Sequence, residues 1–189
     1  MEEVVNYVLS LRESPAARNA LRRASSPTTE ARAYGYLAPW WAEANYRKSA
    51  ICAFAGLAAN FSGIAQEDGL SVGRVAARVV RTGGLTEAGV ERKLIVAQSA
   101  GLPQLVQLLR SLLRVADRQG KTLDFNNLYW LLSLAEHPDA VIRTRSRQRL
   151  LEDFYQELNT EIPSTPTSTF EPSDDTSEPS STDQHRSIS

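Results

Sequence analysis

From Ser71 onward the sequence reads as helix, turn, helix with no internal repeat: runs whose apolar side chains return every third or fourth position, most opened by a capping residue and closed by a breaker. That period lays a stripe along one side of a helix, whereas a half-buried strand alternates at every second residue. No convincing alternation occurs anywhere in the chain. Ser71 opens "VGRVAARVVR", which Gly83 and Gly84 stop, and Thr86 opens the next run, to about residue 100. Leu105, Leu108, Leu109, Leu112 and Leu113 stripe the segment from Leu102 to Asp117. Asp124 opens "FNNLYWLLSLAEH", closed by Pro138, and Asp139 begins the last run. Ser, Thr and Asp accept the free N–H groups at a helix start, and Gly or Pro beyond its end interrupts the backbone ladder.

The first seventy residues follow the same rule less regularly. Val4, Val5, Val8, Leu9 and Leu11 form one stripe, and Ser14-Pro15 restarts a helix that ends before "SSP". "EARAYGYLAPWWAEANYRKS" is aromatic and broken by Gly35 and Pro39, which predicts a packed connector feeding a helix from about residue 45. Ile51, Phe54, Ala55, Leu57, Ala58 and Phe61 give that helix a wide apolar face, the centre of the first core. The expectation is an all-α chain of seven or eight helices in two small bundles, residues 1–70 and 71–158. Residues 159–189, dense in Ser, Thr and Pro with Phe170 as their only aromatic, bury too little to offset ordering entropy and are expected to be a disordered acidic tail.

The net charge of -1 hides an uneven distribution. The tail holds six acids and only Arg186 as a base, which leaves residues 1–159 with 20 Lys and Arg against 16 Asp and Glu. Eighteen of the 21 bases are Arg, whose planar fork suits phosphate. Cys52 is the only cysteine and lies in an apolar run, so no disulfide or zinc framework can be drawn. No apolar run reaches membrane-span length, and the acidic start "MEEVVNYVLSLRES" is unlike a secretory signal, so a cytoplasmic protein is expected.

Groups for proton transfer are scarce. His137 lies in the turn "EHPD" and His185 in the tail, neither with a partner for a catalytic triad. Glu67-Asp68, Glu152-Asp153 and Asp174-Asp175 read as helix ends and solvated faces rather than metal ligands, and no metal or cofactor is expected. "RTGG" followed by "TEAG" lacks the strand and the Lys-Ser or Lys-Thr step of a phosphate loop, and reads as a turn between helices. Trp40, Trp41 and Trp130 have rings that could stack on bases, but large aromatics in a helical chain belong to core or interface. Binding by basic side chains remains as the chemistry.

The densest basic feature is "RTRSRQRLLEDF", with Arg143, Arg145, Arg147 and Arg149 at every second position. Projected at about 100° per residue, Arg143 and Arg147 fall on the side of Leu150, Leu151, Phe154, Tyr155 and Leu158, while Arg145 and Arg149 fall opposite. The first pair is therefore expected to emerge where the core ends, at a subdomain junction or partner surface; only the second can be a plain solvated face. Like charges four apart cost about 0.2–0.5 kcal/mol per pair, so the comb alone demands no ligand.

Several segments occur together in an informative order: "LRRASSP", "NYRKSA", the "SxGRxxA" step at Ser71–Ala77, "LDF" at 123–125 and the closing "RQRLLEDF". This ordered set resembles CasB, the small-subunit family of Cascade, the type I-E CRISPR surveillance complex, over about residues 4–158. The resemblance implies an all-helical protein without catalytic activity. It implies two copies head to tail, touching the backbone subunits and the large subunit, and steadying guide RNA, target DNA and the displaced DNA strand through basic side chains. Carried over by motif, the nucleic-acid contacts would be Arg22, Arg23, Arg47 with Lys48, Arg74, Arg110 with Arg114, and the comb of Arg143, Arg145, Arg147 and Arg149. Two departures stand out: "AEHPDAVIRT" lengthens the approach to the last helix, and "AQSAGLPQ" lacks a base. A competing reading, a helical regulator that reads duplex DNA with "LTEAGVERKLIVAQS", puts Glu87 and Glu91 where a groove lined by phosphates would repel them.

Overall fold

The computed structural model describes residues 2–26, 28–41 and 45–160. Among them are nine α-helices and no strand: α1 (Glu2–Leu11), α2 (Pro15–Leu21), α3 (Tyr34–Leu37), α4 (Lys48–Asn60), α5 (Val72–Arg81), α6 (Glu87–Ser99), α7 (Leu102–Arg118), α8 (Phe125–Ala135) and α9 (Ala140–Asn159). The helix beyond the seven or eight expected is α3, a single turn inside the aromatic connector. The acidic tail from residue 161, with His185 and Asp174-Asp175, lies outside the described residues.

The capping residues act as the sequence predicts. Ser14, Ser71, Thr86, Asp124 and Asp139 each accept a backbone N–H from the first turn of α2, α5, α6, α8 and α9. Each such cap is worth about 1 kcal/mol. Gly83 ends α5 in the left-handed region at φ 72°, where its N–H reaches Val80 O and the Gly84 N–H reaches Val79 O, both at 2.9 Å. The "RTGG" segment is thus a helix stop.

α4 is the hub. Every residue from Ala50 to Ala59 is buried, so the helix is enclosed by α1, α2, α7 and α8 rather than resting on one of them. Phe54 meets Phe125 and Tyr129 of α8 edge-on, with ring centroids 6.4 and 5.3 Å apart. One apolar cluster runs from Val4 through α4 to Phe154, drawing on residues from both sides of the 70/71 division.

The "LDF" step clasps the inter-helix loop. Leu123 is buried, and its N–H and C=O bond Ala65 O and the Glu67 N–H at 3.0 Å each. Asp124 caps α8 and also accepts the Gly69 N–H at 3.0 Å, while the Phe125 N–H donates to Gln66 Oε1 at 2.8 Å. The loop that carries α5 is therefore fixed to the start of α8.

α5 and α9 make the most extensive helix contact. Gly73 allows it: a Cβ there would lie 2.3 Å from Leu150 O and 2.8 Å from Asp153 Cβ. At the far end of the seam Arg78 Nε and Arg81 NH2 hold Glu157 Oε1 at 3.0 and 3.2 Å. The "SxGRxxA" step thus divides its work among a cap at Ser71, a close approach at Gly73 and a buried Ala77, and leaves Arg74 half-buried at the rim.

Candidate nucleic-acid interface

The comb arginines divide as the projection predicts, but of the inner pair Arg147 does not emerge at a surface. Arg147 is 8% exposed, and its guanidinium donates to Gln98 O at 3.3 Å and Ala135 O at 3.0 Å, carbonyls at the ends of α6 and α8. Burial, then the nearby Arg143 charge, lowers the Arg147 pKa from its ordinary value. Arg143 is half-buried and donates to His137 O and, at 2.8 Å, to Pro138 O in the α8–α9 turn. Both inner arginines therefore satisfy carbonyls at helix ends and turns, Arg147 from a buried position where the sequence reading expects an exit to a surface.

The outer pair lines an open groove of about 750 Å³ between the start of α5, α8 and α9. Arg145 and Arg149 come from α9, and Arg74 from α5, where it donates to Gly69 O at 3.2 Å. Apolar surface adjoins them: Trp130 is 42% exposed, Ile142 38% and Val141 66%, and all three line the groove. Glu152 and Asp153 also line it, from the following turn of α9. Sequence reasoning assigned Trp130 to core or interface with the other tryptophans. Trp40 and Trp41 do pack half-buried against the core, whereas Trp130 stands in the groove. At about 100° per residue, position 130 falls roughly 150° from the centre of Leu128, Leu131 and Leu132, so helical spacing sets Trp130 on the outward face of α8.

Chain folding makes a second group. The loop after α2 presses on α4 at Gly56, where a Cβ would meet Ser25 Cβ at 2.6 Å. Arg110 of α7 donates to Ser25 Oγ, a contact between residues 85 apart. It stands beside the loop that bears exposed Arg22 and Arg23, and Arg114 follows one turn along α7, also exposed. Arg22 is partly engaged, donating from Nε to Ala59 O at 3.3 Å.

Arg47 and Lys48 lie apart from both groups at the entry to α4. The Lys48 ammonium sits 4.1 Å from the Trp41 ring centroid and 5.5 Å from that of Tyr34, and the Arg47 guanidinium lies 5.9 Å from the Tyr46 ring. Tyr46 in turn packs edge-on against His137 at 5.4 Å, which brings the entry to α4 next to the α8–α9 turn. His137 uses Nδ1 to accept the Asp139 N–H at 3.1 Å, a turn-forming role.

Arg12 is held by the fold itself. It donates to Phe61 O at 3.3 Å, Ser62 O and Ile64 O at 2.9 Å, stacks 5.1 Å from the Phe125 centroid, and has its pKa lowered by burial. Among the described residues no group of His, Cys, Asp and Glu is placed to hold a metal ion, and no helix is long and apolar enough to cross a membrane.

The same fold is found in solved CRISPR proteins. A chain of a CRISPR RNA-guided surveillance complex matches with a TM-score of 0.68 at 23% identity, over 84% of this chain and 93% of that one. A Cse2-family protein from Thermus thermophilus matches with a TM-score of 0.65 at 21% identity, over 82% of this chain and 97% of the other. A crystal structure of CasB from the same organism matches with the same score, identity and coverage. No curated protein sequence matches the chain. At these identities the structural likeness speaks for the fold alone. The sequence model for CRISPR-associated protein Cse2 matches residues 17–155, from within α2 to within α9, and on that span the chain belongs to the Cse2 family, the CasB family its motifs resemble.

Proposed function

We propose that this chain is the non-catalytic small subunit of a type I-E CRISPR surveillance complex, acting in antiviral defence. It would sit beside the backbone and large subunits with a second copy head to tail. Its arginines would hold the target-strand backbone and the displaced strand so that the opened duplex does not re-anneal. The observation that carries this is the Cse2-family match across most of the helical region. The groove supplies the physics: Arg74, Arg145 and Arg149 line one open channel beside an exposed indole. Fixed guanidinium groups neutralise phosphates without reading base edges, and an aromatic face accepts any base.

The second basic group, Arg22, Arg23, Arg110 and Arg114, extends this reading to another part of the surface, with Arg47 and Lys48 between the aromatic connector and the α8–α9 turn. In the assembled complex, Ala at Arg23, Arg47 and Arg110 is expected to leave guide RNA bound while weakening protection of the open strands.

The test is the salt dependence of single-strand binding by the isolated chain. Neutralising about four phosphates gives a slope of log K against log salt of roughly -2.8. In the Arg145→Ala/Arg149→Ala variant the slope should become shallower by roughly 0.7 for each phosphate no longer neutralised. A slope near zero for the native chain would sink the electrostatic reading. Binding to one duplex about a thousandfold better than to random duplex would point instead to the sequence-specific regulator.

A further inference from the structure

We propose that the acidic segment after α9, residues 161–189, folds back into the Arg74–Arg145–Arg149 groove of its own chain and competes there with a nucleic-acid strand. The competition rests on the groove being a strand's seat; the fold-back does not.

Charge and side-chain chemistry match. The segment carries Glu161, Glu171, Asp174, Asp175, Glu178 and Asp183 against one base, Arg186. Its only aromatic, Phe170, immediately precedes Glu171, with Asp174 and Asp175 three and four residues beyond that. The groove offers three guanidinium groups against the carboxylates of Glu152 and Asp153, a net positive lining, with Trp130, Val141 and Ile142 exposed beside them. A ring followed by carboxylates presents to this surface what a base followed by phosphates would.

The choice of groove follows from its apolar surface. Among the described residues, the large apolar side chains that stand exposed are Tyr46, Ile95, Val96, Trp130, Val141 and Ile142, and three of these lie in this groove. Trp130 lines the same groove as Arg74, Arg145 and Arg149, so this basic group offers an acidic segment both charge and an aromatic seat for Phe170.

Reach is sufficient. α9 ends at Asn159, and Ile142 lies 17 residues back along it, a rise of about 26 Å. Residues 161–170 can extend to roughly 33 Å, so Phe170 reaches the indole and the carboxylates beyond it reach Arg145 and Arg149. A short tether raises effective concentration to the millimolar range, so a contact with an intrinsic Kd of about 0.1–0.5 mM suffices to lower strand affinity roughly 3- to 10-fold.

Two arms test this on the full chain with a poly-dT oligonucleotide as the probe. In the first, without DNA, a spin label is placed by Ser173→Cys. Cys52 is buried, with its thiol pushed up to about 11, and does not compete for the reagent. The label should broaden the Trp130 indole resonance and the amides of residues 141–149 at every dilution, and Phe170→Ala should abolish this. Broadening that is absent, or that disappears on dilution as exchange with a second copy would require, overturns the fold-back.

In the second arm, Glu171→Gln/Asp174→Asn/Asp175→Asn should tighten dT binding about 3- to 10-fold at low salt. The gain should vanish in the Arg145→Ala/Arg149→Ala background. A gain that persists undiminished there is general charge repulsion and overturns competition at this groove. If Arg145→Ala/Arg149→Ala leaves native dT binding unchanged, it is the reading of the groove as a strand site that fails, while the label still decides the fold-back.

Discussion

α9 carries the same residue type on two faces with opposite consequences. Arg143 and Arg147 turn inward and donate to carbonyls at the ends of α6 and α8 and in the α8–α9 turn. Arg145 and Arg149, two residues displaced from them, face an open groove with Arg74 and Trp130. The contrast teaches that arginine density alone is a poor index of a binding surface. Part of this basic stretch is structural, satisfying backbone acceptors that a helical bundle leaves over at its ends. Arg145 and Arg149 are the exposed members of the stretch.

The sharpest way to break the comparison is to remove one arginine from each face. Arg147→Ala leaves Ala135 O and Gln98 O without their donor and opens a gap in a buried position. An unsatisfied buried polar group costs about 1–3 kcal/mol, so a loss of about 2–4 kcal/mol is expected by urea or thermal unfolding. Arg145→Ala, at an exposed position, should stay within about 0.5 kcal/mol of the native chain. Equal losses would mean that the two faces are not distinct.

Next in size is Gly73→Ala, which tests the seam that sets the groove's width. Alanine favours a helix by up to about 1 kcal/mol over glycine. Here the new methyl would lie 2.3 Å from the Leu150 carbonyl oxygen, a backbone atom that no rotamer change moves aside. Overpacking of this kind costs about 1–3 kcal/mol and should win, giving a net loss in stability with α9 displaced from α5. A more stable variant would show that the two helices separate without cost.

Most of the architecture was legible before the structure because it is local. Five caps, the Gly83 stop and the apolar envelope of α4 each depend on residues within a turn or two, and the inward and outward comb pairs follow from the helical period alone. What the sequence did not reveal depends on neighbours. Nothing near Arg147 in sequence announces Gln98 O, 49 residues away, so its position above the core stripe read as an exit to a surface. The helical period sets Trp130 on the outward face of α8, but that this face is a groove follows only once α9 is placed beside it. Gly73 could be recognised as a motif residue, but its cause is the Leu150 carbonyl on another helix.

A smaller effect probes the groove side. Trp130→Ala removes the exposed indole but leaves Arg145 and Arg149. Stacking contributes about 1–3 kcal/mol per base, and with more than half of this residue already covered the low end is expected, roughly fivefold weaker single-strand binding. Because no charge is removed, the salt slope should not change, whereas Arg145→Ala/Arg149→Ala changes it. A Trp130→Ala variant with native affinity would make the groove a purely electrostatic track.

The smallest effect lies on the inner side, at Glu136, the C-cap residue of α8 next to the carbonyl that Arg147 holds. Burial raises its pKa above the ordinary 4.5, with no opposing contribution from the arginines close by in sequence. That is consistent with Arg143 and Arg147 being directed at carbonyls rather than at this carboxylate. The sign follows from proton binding: over the interval from the ordinary carboxylate value up to the raised one, the folded chain holds more protons than the unfolded chain. Stability contributed by this group therefore falls as pH rises through that interval and stays lower above it. Glu136→Gln should remove this component of the decline, so the native and variant stability profiles should diverge as pH rises through the interval and run parallel beyond it. If the native chain instead gains stability over the same interval relative to the variant, Glu136 is paired with an inner arginine, and the separation of the two faces into carbonyl-bound and phosphate-facing sets loses its simplest support.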